Sequence, residues 1–390
     1  PKSGTWYGRT YNEQNAASVA NESIVSFYVE LGQETAADYA YLIDPVDNGS
    51  RAIHIALNFP NEAGTVASVN SGSLDTQIQQ TLSYLATLKG PVLLRIGGEM
   101  NVWQNATTPA DFKAAYTRIA NMARQTAPNV ALVFSTNYTS SWGGNMEEYF
   151  PGSEVVDWIG TSLYMNKYQF AYDPKTGADT NEMYFGIGEY ADPVKNMAET
   201  AALAQKYQKP LIVTEGGSGH NVSGAGDLSS FASQRLSEMY NTLNMVYPQV
   251  KAIIYFDNNL GGYDYHLANS TTMQNAYNSA LRSNPTLIST VGATAPTFVP
   301  LTSATGQSGV LTLRAYCDVI GQNVTATYSV DDQWVATQAA MPYRCQLDTS
   351  GLSVGAHTLK VVFSAPNGFY QTKTYQLNKA ADGTVSFAAI

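Results

Sequence analysis

The sequence predicts a (β/α)8 TIM barrel followed by a small all-β sandwich, and three observations support that prediction. The chain has 390 residues, against ~150 for an average domain, so we expect two domains or one large barrel with an appendage. Up to about residue 284, eight short β-rich segments alternate with amphipathic helical segments, which is typical of a barrel of parallel strands. From Val310 onward, an alternation of apolar and polar residues with a period of two replaces the helical period.

The predicted barrel strands are short runs rich in β-branched and aromatic residues. In chain order they are Thr5–Tyr7, Ile24–Val29, Ile53–Leu57, Val92–Ile96, Ala131–Ser135, Trp158–Leu163, Leu211–Thr214 and Ala252–Phe256. Helices are predicted between them where apolar residues recur at spacings of three and four. These helices are Asp75–Leu88, Asp111–Gln125, Asp192–Tyr207, Leu228–Leu243 and Thr272–Arg282.

These patterns divide the chain into a barrel domain over residues 1–290, a linker over 291–308 and a β-sandwich over 309–390. The linker is rich in Thr, Ala, Pro, Ser and Gly and has no helical period. In the sandwich, strands are predicted at Leu311–Tyr316, Val324–Val330 and His357–Phe363. Cys317 and Cys345 lie in this domain, where their placement suits either a disulfide or two buried thiols.

The composition narrows the classes of function. Hydrophobic residues make up 44% of the chain, which is ample for a large core, whereas charged residues make up only 13%. The net charge of −10 argues against nucleic acid as a partner, because its phosphates would be repelled. A surface of neutral polar groups, with 26 tyrosines in the chain, suits a secreted or cell-surface protein that handles hydroxyl-rich ligands.

Several other classes lack their sequence signals. No apolar run approaches the ~18 residues that a membrane span needs. No cluster has the spacing of metal ligands, and no glycine-rich loop has the pattern of a phosphate-binding site. We therefore expect no metal, no cofactor and no membrane span.

Two glutamates stand at the C-terminal ends of predicted strands four and seven, where barrel enzymes place their functional groups. Glu99 follows Val92–Ile96 and Glu215 follows Leu211–Thr214, each beside glycines that allow a ligand to approach closely. These strands lie nearly opposite each other in an eight-membered ring, so the side chains can converge over the barrel axis. Two facing carboxylates are the minimal apparatus of glycoside hydrolysis, and a separation of ~5–5.5 Å gives retention of configuration. For either glutamate alone, a structural pair with an arginine is the alternative.

The residues around Glu99 form a recognisable motif. The segment Arg95-Ile-Gly-Gly-Glu99-Met100-Asn101, with Trp103 close behind, resembles the Arg-Pro-Phe-His-Glu-Met-Asn-Gly motif of glycoside hydrolase family 26. That family contains β-mannanases, some β-1,3-xylanases and mixed-linkage glucanases. Further segments of the chain are similar to its fifth strand, its Tyr-Tyr-Pro-Gly stretch, its nucleophile strand and its last strand; they are residues 129–137, 149–164, 209–216 and 250–257.

The resemblance implies that Glu99 is the catalytic acid/base, that Glu215 is the nucleophile and that Tyr164 contacts Glu215. Arg95 lies four residues before Glu99 and is expected to point inward, where it would hydrogen-bond the nucleophile and keep it ionised. A plain buried ion pair is the alternative for Arg95. The implied fold is a barrel, and the implied substrate is a β-linked polysaccharide.

The chain departs from the family pattern at several positions. Gly98 replaces the histidine before the acid/base, and Ser162 replaces the aspartate often found two residues before the tyrosine of strand six. At the end of strand eight, Asp257-Asn258-Asn259 stands where the mannanases tend to carry an aromatic residue. These departures keep the catalytic pair and indicate a changed sugar subsite.

The remaining candidate residues are aromatic and amide side chains near the strand ends. Aromatic rings stack on the apolar faces of sugars, and amides hydrogen-bond sugar hydroxyls. Loop packing is the alternative for each ring, and capping of its own loop is the alternative for Asp257. The predicted substrate-binding residues are Arg95, Asn101, Trp103, Asn137, Trp142, Tyr164, Tyr168 and Asp257.

The C-terminal segment resembles a bacterial Ig-like module, on the stretch from Tyr328 to Trp334 and the later Met341-Pro-Tyr343 and Leu347-Asp-Thr-Ser-Gly351. We expect a spacer rather than a glycan-binding accessory, because the sequence has no evident row of exposed aromatic residues. The whole chain is expected to be a monomeric, secreted, retaining endo-β-glycanase, with β-1,4-mannan as the first substrate. The alternatives are another β-glycan or a bacterial exopolysaccharide as substrate, or a non-catalytic glycan-binding or surface-structural protein.

Overall fold

The structure is a computed structural model that describes residues 1, 3–103, 106–168 and 188–390. It divides into two compact units, Pro1–Pro296 and Thr297–Ile390. The division between the units falls inside the 291–308 segment that was predicted as a linker.

Eight parallel strands form a closed barrel in the first unit. They are β1 (Thr5–Thr10), β2 (Ile24–Glu30), β3 (Ala52–Asn58), β4 (Val92–Ile96), β5 (Val130–Asn137), β6 (Trp158–Tyr164), β7 (Leu211–Gly217) and β8 (Val250–Tyr255). Each strand pairs with the next one along the chain, and β8 pairs with β1, so the sheet closes on itself. The predicted barrel is therefore confirmed, and every predicted strand overlaps an observed one.

Helices connect most of these strands in the described part of the unit. They are α1 (Ala40–Ile43), α2 (Glu62–Ser71), α3 (Asp75–Leu85), α4 (Pro109–Thr126), α5 (Pro193–Lys206), α6 (Ser229–Val246) and α7 (Thr271–Ser283). The start of α4 shows why its sequence is helical: Thr108 Oγ1 accepts a hydrogen bond from the Asp111 amide at 3.1 Å, and Pro109 occupies the first turn. The sequence prediction missed α2, whose buried residues Thr65, Val66 and Val69 form only a narrow apolar stripe.

The barrel interior changes from apolar to polar along the strands, as β2 illustrates. Side chains alternate between the two faces of a strand, so every second residue points inward. Ile24 belongs to the apolar cluster at the N-terminal ends of the strands. Ser26 Oγ lies 2.8 Å from His54 Nδ1 in the next layer, and Tyr28 and Glu30 line the cavity at the C-terminal end.

The loops after β7 and β8 form a small antiparallel sheet of two-residue strands. Residues 221–222 pair with 226–227 and with 263–264, and 263–264 also pair with 259–260. Leu260, in the outermost of these strands, is exposed and lines the cavity at the barrel mouth. This sheet fixes the loop that carries Asn258 and Asn259 at the same mouth.

The second unit is an all-β sandwich, as predicted. Its strands are β9 (Val310–Leu313), β10 (Thr325–Val330), β11 (Gln333–Gln338), β12 (Cys345–Asp348), β13 (Gly355–Ser364), β14 (Tyr370–Lys379) and β15 (Val385–Ala389). A two-stranded sheet, β9-β12, accompanies a five-stranded antiparallel sheet in the order β11-β10-β13-β14-β15. Tyr328, Leu359 and Leu377 are among the buried residues of its core.

Two details of the sandwich bear on the sequence predictions. Cys317 and Cys345 are both thiols in this structure rather than a disulfide, and burial raises the pKa of the Cys345 thiol to about 11. Trp334 and Tyr370 are 70% and 68% exposed, so this unit carries large exposed aromatic side chains that the sequence pattern did not reveal.

Candidate active site

Glu99 is presented by a sharp turn that ends β4. Gly97 and Glu99 have φ values of +57° and +58°, a left-handed conformation that is strained for a residue with a side chain. The Glu99 amide donates to the Ser135 carbonyl at 3.1 Å, and Asn137 Nδ2 donates to Glu99 Oε1 at 2.8 Å. The end of β5 thus holds both the backbone and the carboxyl group of Glu99 in place.

Glu215 lies in β7, where four side chains donate hydrogen bonds to its carboxylate. Its Oε2 accepts from Tyr28 Oη at 2.5 Å and from Arg95 Nη1 at 2.8 Å. Its Oε1 accepts two longer bonds, from Ser162 Oγ and Tyr164 Oη, both at 3.3 Å. These donors come from β2, β4 and β6, so the carboxylate is fixed from several sides of the barrel.

A bulge in the pairing of β6 with β7 accounts for the direction of the Glu215 side chain. Thr161 is in register with Val213 and Ser162 with Glu215, so Thr214 is an extra residue. Thr214 Oγ1 still lies 2.9 Å from Ser135 Oγ inside the barrel. A bulge allows two successive side chains to turn to one face, and here it brings Glu215 to the same side as Thr214.

The two carboxyl groups have opposite pKa shifts. Burial raises the pKa of the Glu99 carboxyl, and the negative charge of Glu215 raises it further against the opposing charge of Arg95. Burial also acts to raise the pKa of Glu215, but the positive charge of Arg95 and the hydrogen bonds from Tyr28, Arg95 and Ser162 outweigh it and lower that pKa. One carboxyl is therefore favoured as a proton donor and the other as an anion.

Arg95 occupies the space beside Gly98. Its side chain is 3% exposed, and its Nη2 lies 3.4 Å from Ser162 Oγ. A Cβ added at position 98 would lie only 2.0 Å from Arg95 Nη2. Glycine at position 98 therefore leaves room for the Arg95 guanidinium that holds Glu215. Any side chain at this position would displace that guanidinium.

Glu99 and Glu215 share a cavity of about 400 Å³ at the barrel mouth. Trp103 forms part of its wall and packs against Phe59, with ring centroids 6.1 Å apart. The described residues that line it are Tyr28, Glu30, Asn58, Phe59, Pro60, Arg95, Gly98, Glu99, Trp103, Glu215, Phe256, Asn258, Asn259 and Leu260. Such a mixture of aromatic rings with a few fixed polar groups is typical of a small-ligand site.

Of the other predicted residues, two contact the pair and two lie in the loops that follow β5 and β6. Asn137 holds Glu99, and Tyr164 reaches Glu215 as the resemblance implies. Trp142 packs edge-on against Tyr138, with ring centroids 5.5 Å apart, after β5. Tyr168 lies after β6, where its carbonyl accepts a hydrogen bond from Tyr263 Oη at 2.8 Å.

Two predicted substrate-binding residues take up internal positions instead. Asn101 is 1% exposed, its Oδ1 accepts from the Asn137 amide at 2.9 Å, and its Nδ2 donates to the Thr139 carbonyl at 2.9 Å. Asp257 is 2% exposed, and its two oxygens accept from Arg9 Nη1 at 2.7 Å and from the Leu267 amide at 2.8 Å. Neither belongs to the described wall of the cavity. Asn101 positions the end of β5, and Asp257 fixes the loop after β8.

Sequence reasoning missed Tyr28, which makes the shortest hydrogen bond to Glu215, and the wall residues Glu30 and Asn58. It noted Ser162 only as a departure from the family and not as a donor. The signal for Tyr28 and Glu30 was available, because they continue the inward alternation of Ile24 and Ser26 to the C-terminal end of β2.

In the described parts of the chain, no three His, Cys, Asp or Glu side chains converge as metal ligands would. Of the helices that the structure describes, none is both long enough and apolar enough to cross a bilayer.

Comparison with known proteins supports the fold. No protein-family model matches the chain. An endo-β-1,4-mannanase double mutant from Cellulomonas fimi has a similar structure, with a TM-score of 0.51 and 13% identity over 96% of this chain and 94% of that one. A β-mannanase of glycoside hydrolase family 26 (GH26) from Bacteroides ovatus has a TM-score of 0.51 and 16% identity over 75% of this chain and 92% of that one. The barrel unit is GH26-like in its fold.

Sequence similarity points to two further proteins. A β-1,3-xylanase from a Vibrio species is 25% identical over 123 residues, which are 29% of this chain and 27% of that protein. A β-1,3-xylanase from an Alcaligenes species is 25% identical over 104 residues, which are 26% of this chain and 22% of that protein. The chain thus spans about a quarter of the length of these curated relatives.

Proposed function

We propose that the chain is a glycoside hydrolase that cleaves a β-linked polysaccharide internally and retains the anomeric configuration. The observation that supports this most strongly is the pair of carboxyl groups in one cavity with opposite pKa shifts, Glu99 upward and Glu215 downward. Glycoside hydrolysis needs one protonated and one ionised carboxyl group flanking the bond to be broken. A protein that only binds glycans has no need for such a pair.

In the proposed first step, Glu215 attacks the anomeric carbon while Glu99 gives its proton to the leaving glycosidic oxygen. The attacking oxygen is assigned as Oε1, because its two hydrogen bonds of 3.3 Å leave it freer than Oε2, which is held at 2.5 and 2.8 Å. In the second step, Glu99 takes a proton from the incoming water, whose oxygen displaces Glu215 from the sugar. The enzyme then returns to its starting protonation state.

Two polymers are the leading candidates for the substrate. β-1,4-Mannan remains the first, in keeping with the GH26 β-mannanases that share the fold. β-1,3-Xylan is the second, and the 25% identity to two β-1,3-xylanases favours it. Other β-glycans and bacterial exopolysaccharides stay within the same reaction class.

We also propose that the protein acts outside the cell as a monomer and that the sandwich is an Ig-like accessory. Low charge supports an extracellular polysaccharide as the substrate, since charged residues are only 13% of the chain. Size-exclusion chromatography coupled to light scattering would test the monomer. Detection of the protein in the medium of its native host would test secretion.

The experiment that tests the proposed activity is product release from a panel of soluble polysaccharides. The panel contains galactomannan, glucomannan, β-1,3-xylan, mixed-linkage glucan and a bacterial exopolysaccharide, each incubated with wild type and with Glu215→Ala. We expect oligosaccharides from one polymer with wild type and none with the variant, which should still bind that polymer.

The outcomes separate the alternatives. Full activity in Glu215→Ala would contradict the assigned nucleophile. Products with inverted anomeric configuration, seen by NMR in the first minutes, would contradict the two-step mechanism. Binding of a glycan by wild type and variant alike, with no hydrolysis of any polymer, would favour the non-catalytic alternative.

A further inference from the structure

The cavity wall at the ends of β2 and β3 carries a carboxylate that the proposed hydrolysis does not use. Glu30 and Asn58 are register partners on these strands, and both line the cavity that holds Glu99 and Glu215. Asn58 Nδ2 donates to Glu30 Oε1 at 2.8 Å. Among the described residues, none donates to Glu30 Oε2, so this oxygen retains its capacity to accept hydrogen bonds from a ligand.

The position of Glu30 is fixed by its own backbone and by the neighbouring strand. Its amide donates to Glu34 Oε1 at 2.9 Å, and Tyr39 Oη donates to the other oxygen of Glu34 at 2.8 Å. The next amide, that of Leu31, donates to the Asn58 carbonyl at 3.0 Å. A binding group held in this way loses little freedom when a ligand arrives.

An apolar surface adjoins this polar pair. Phe59 follows Asn58 directly, and Trp103, from the end of β4, packs against it at 6.1 Å. Both rings line the same cavity. A sugar ring presents C–H groups on its faces and hydroxyl groups at its edge, so an aromatic surface beside a carboxylate and an amide matches both.

The charges on the cavity wall disfavour an anionic ligand. Its described residues include three carboxyl groups, Glu30, Glu99 and Glu215, and one cation, Arg95. Arg95 is already engaged by Glu215 at 2.8 Å. Among the described residues no cation pairs with Glu30, so its negative charge faces the ligand, and a second carboxylate or a sulfate close to it would be repelled.

We propose that Glu30, positioned by Asn58, binds hydroxyl groups of a neutral sugar in a subsite beside the catalytic pair and excludes glycans that carry anionic groups there. This inference rests on the proposed hydrolase function and adds the class of substrate to it. Glu30 is a specificity-determining residue in this scheme, since it contacts the sugar but not the bond that is broken.

The test compares two ethers of the polymer that wild type hydrolyses, prepared at equal and low substitution. Carboxymethyl and hydroxyethyl groups are similar in size but differ in charge. The variants are Glu30→Gln, which removes the charge, and Asn58→Ala, which keeps the charge but frees the carboxylate. Glu62→Gln is the matched control, because it removes an equal charge from the first turn of α2, shortly after β3 and outside the described cavity wall.

For wild type we expect kcat/KM to be about tenfold lower on the carboxymethyl ether than on the hydroxyethyl ether. Glu30→Gln should bring this ratio close to one and raise KM for the hydroxyethyl ether about tenfold, because a charge-assisted hydrogen bond becomes a neutral one. Its kcat should change less than about threefold, since the reacting bond is not touched. Asn58→Ala should keep the discrimination but raise KM, and Glu62→Gln should behave as wild type.

Different results would contradict the subsite proposal and the hydrolase proposal. Hydrolysis by wild type with the same ether ratio in Glu30→Gln, at an unchanged thermal midpoint, would overturn the subsite and leave the hydrolase intact. An altered ratio in Glu62→Gln would show that the general electrostatic field of the barrel mouth, not Glu30, excludes anions, and would also overturn the subsite. Absence of hydrolysis of every polymer in the panel by wild type would overturn both proposals together, whereas hydrolysis of an anionic exopolysaccharide alone would overturn only the subsite.

Discussion

Glu99 and Glu215 are the same side chain at the ends of two strands of one barrel, yet their surroundings differ in the number of donors. Glu215 receives hydrogen bonds from Tyr28, Arg95, Ser162 and Tyr164, one of them from a guanidinium. Glu99 receives its main hydrogen bond from the neutral amide of Asn137. Burial acts to raise the pKa of both carboxyl groups, and only at Glu215 do the donors outweigh it.

The difference shows that burial raises both pKa values, and that the cation and the hydrogen-bond donors around Glu215 reverse the direction for that carboxyl group alone. It also predicts a window of pH for activity. In the proposed mechanism Glu215 must be ionised, so activity should rise as the pH passes its lowered pKa. Glu99 must be protonated, so activity should fall as the pH passes its raised pKa. The resulting bell-shaped dependence of kcat/KM on pH is the baseline for the predictions that follow.

Removal of the proposed proton donor, Glu99, should have the largest effect on activity. Glu99→Gln keeps the shape of the side chain but cannot protonate the leaving oxygen, so kcat on the polysaccharide should fall by ~10²–10⁴. An aryl glycoside with an acidic phenol as leaving group needs little protonation and should lose far less. The comparison of kcat on the two substrates measures this difference. Equal losses on both would contradict the assignment of Glu99 as the acid.

Loss of the cation beside Glu215 should have the next largest effect. Arg95→Met removes the charge and the 2.8 Å hydrogen bond, so the pKa of Glu215 should rise toward that of Glu99. The ascending limb of kcat/KM against pH should therefore move to higher pH, and the maximum should fall by about 10²-fold. Arg95→Lys, which keeps the charge, is the control and should restore part of the shift. An ascending limb that stays at the same pH in Arg95→Met would contradict the claim that Arg95 lowers the pKa of Glu215.

The hydrogen bond from Tyr28 should contribute less than the ion pair. Tyr28→Phe removes the 2.5 Å bond to Oε2 but leaves Arg95 on the same oxygen. Hydrogen bonds to charged groups are worth ~1.5–3 kcal/mol, so kcat/KM should fall by about 10- to 100-fold, with a smaller upward movement of the ascending limb. Tyr164→Phe is the matched control, because its bond to the same carboxylate is 3.3 Å long. A larger loss in Tyr164→Phe than in Tyr28→Phe would contradict the ranking by distance.

The sequence could predict the barrel and the two carboxylates because both follow from local patterns. Strand-like runs at regular intervals predict the closed sheet, and a glutamate after a strand must lie at the C-terminal face. The surroundings of Glu215 depend on contacts across the barrel, which no local pattern reports. The bulge that pairs Ser162 with Glu215 is one such contact, and the hydroxyl of Tyr28 is another.

The same limit explains why the internal positions of two predicted residues could not be foreseen from the sequence. Asn101 and Asp257 stand at strand ends, where polar groups often meet a ligand, and that pattern alone predicted sugar contacts for both. Arg9 lies in β1, whereas Asp257 follows β8. A 2.7 Å ion pair between them holds the Asp257 side chain inside the protein. Two backbone groups of β5 and its loop engage Asn101 in the same way. The sequence spacing between these partners gives no sign that they meet.

Ser162 tests how hydrogen-bond donors set the two pKa values, because its side chain interacts with both Glu99 and Glu215. Its hydroxyl is 3.3 Å from Glu215 Oε1 and 3.4 Å from Arg95 Nη2, and it helps to lower the pKa of both glutamates. In Ser162→Ala both limbs of the pH profile should therefore move slightly upward, while kcat/KM at the optimum falls only a few fold, because these contacts are long. Tyr28→Phe should move only the ascending limb. Comparison of the pH profiles of the two variants therefore distinguishes a donor shared by both carboxyl groups from a donor to Glu215 alone. A shift of one limb only in Ser162→Ala would show that the serine serves a single carboxyl group.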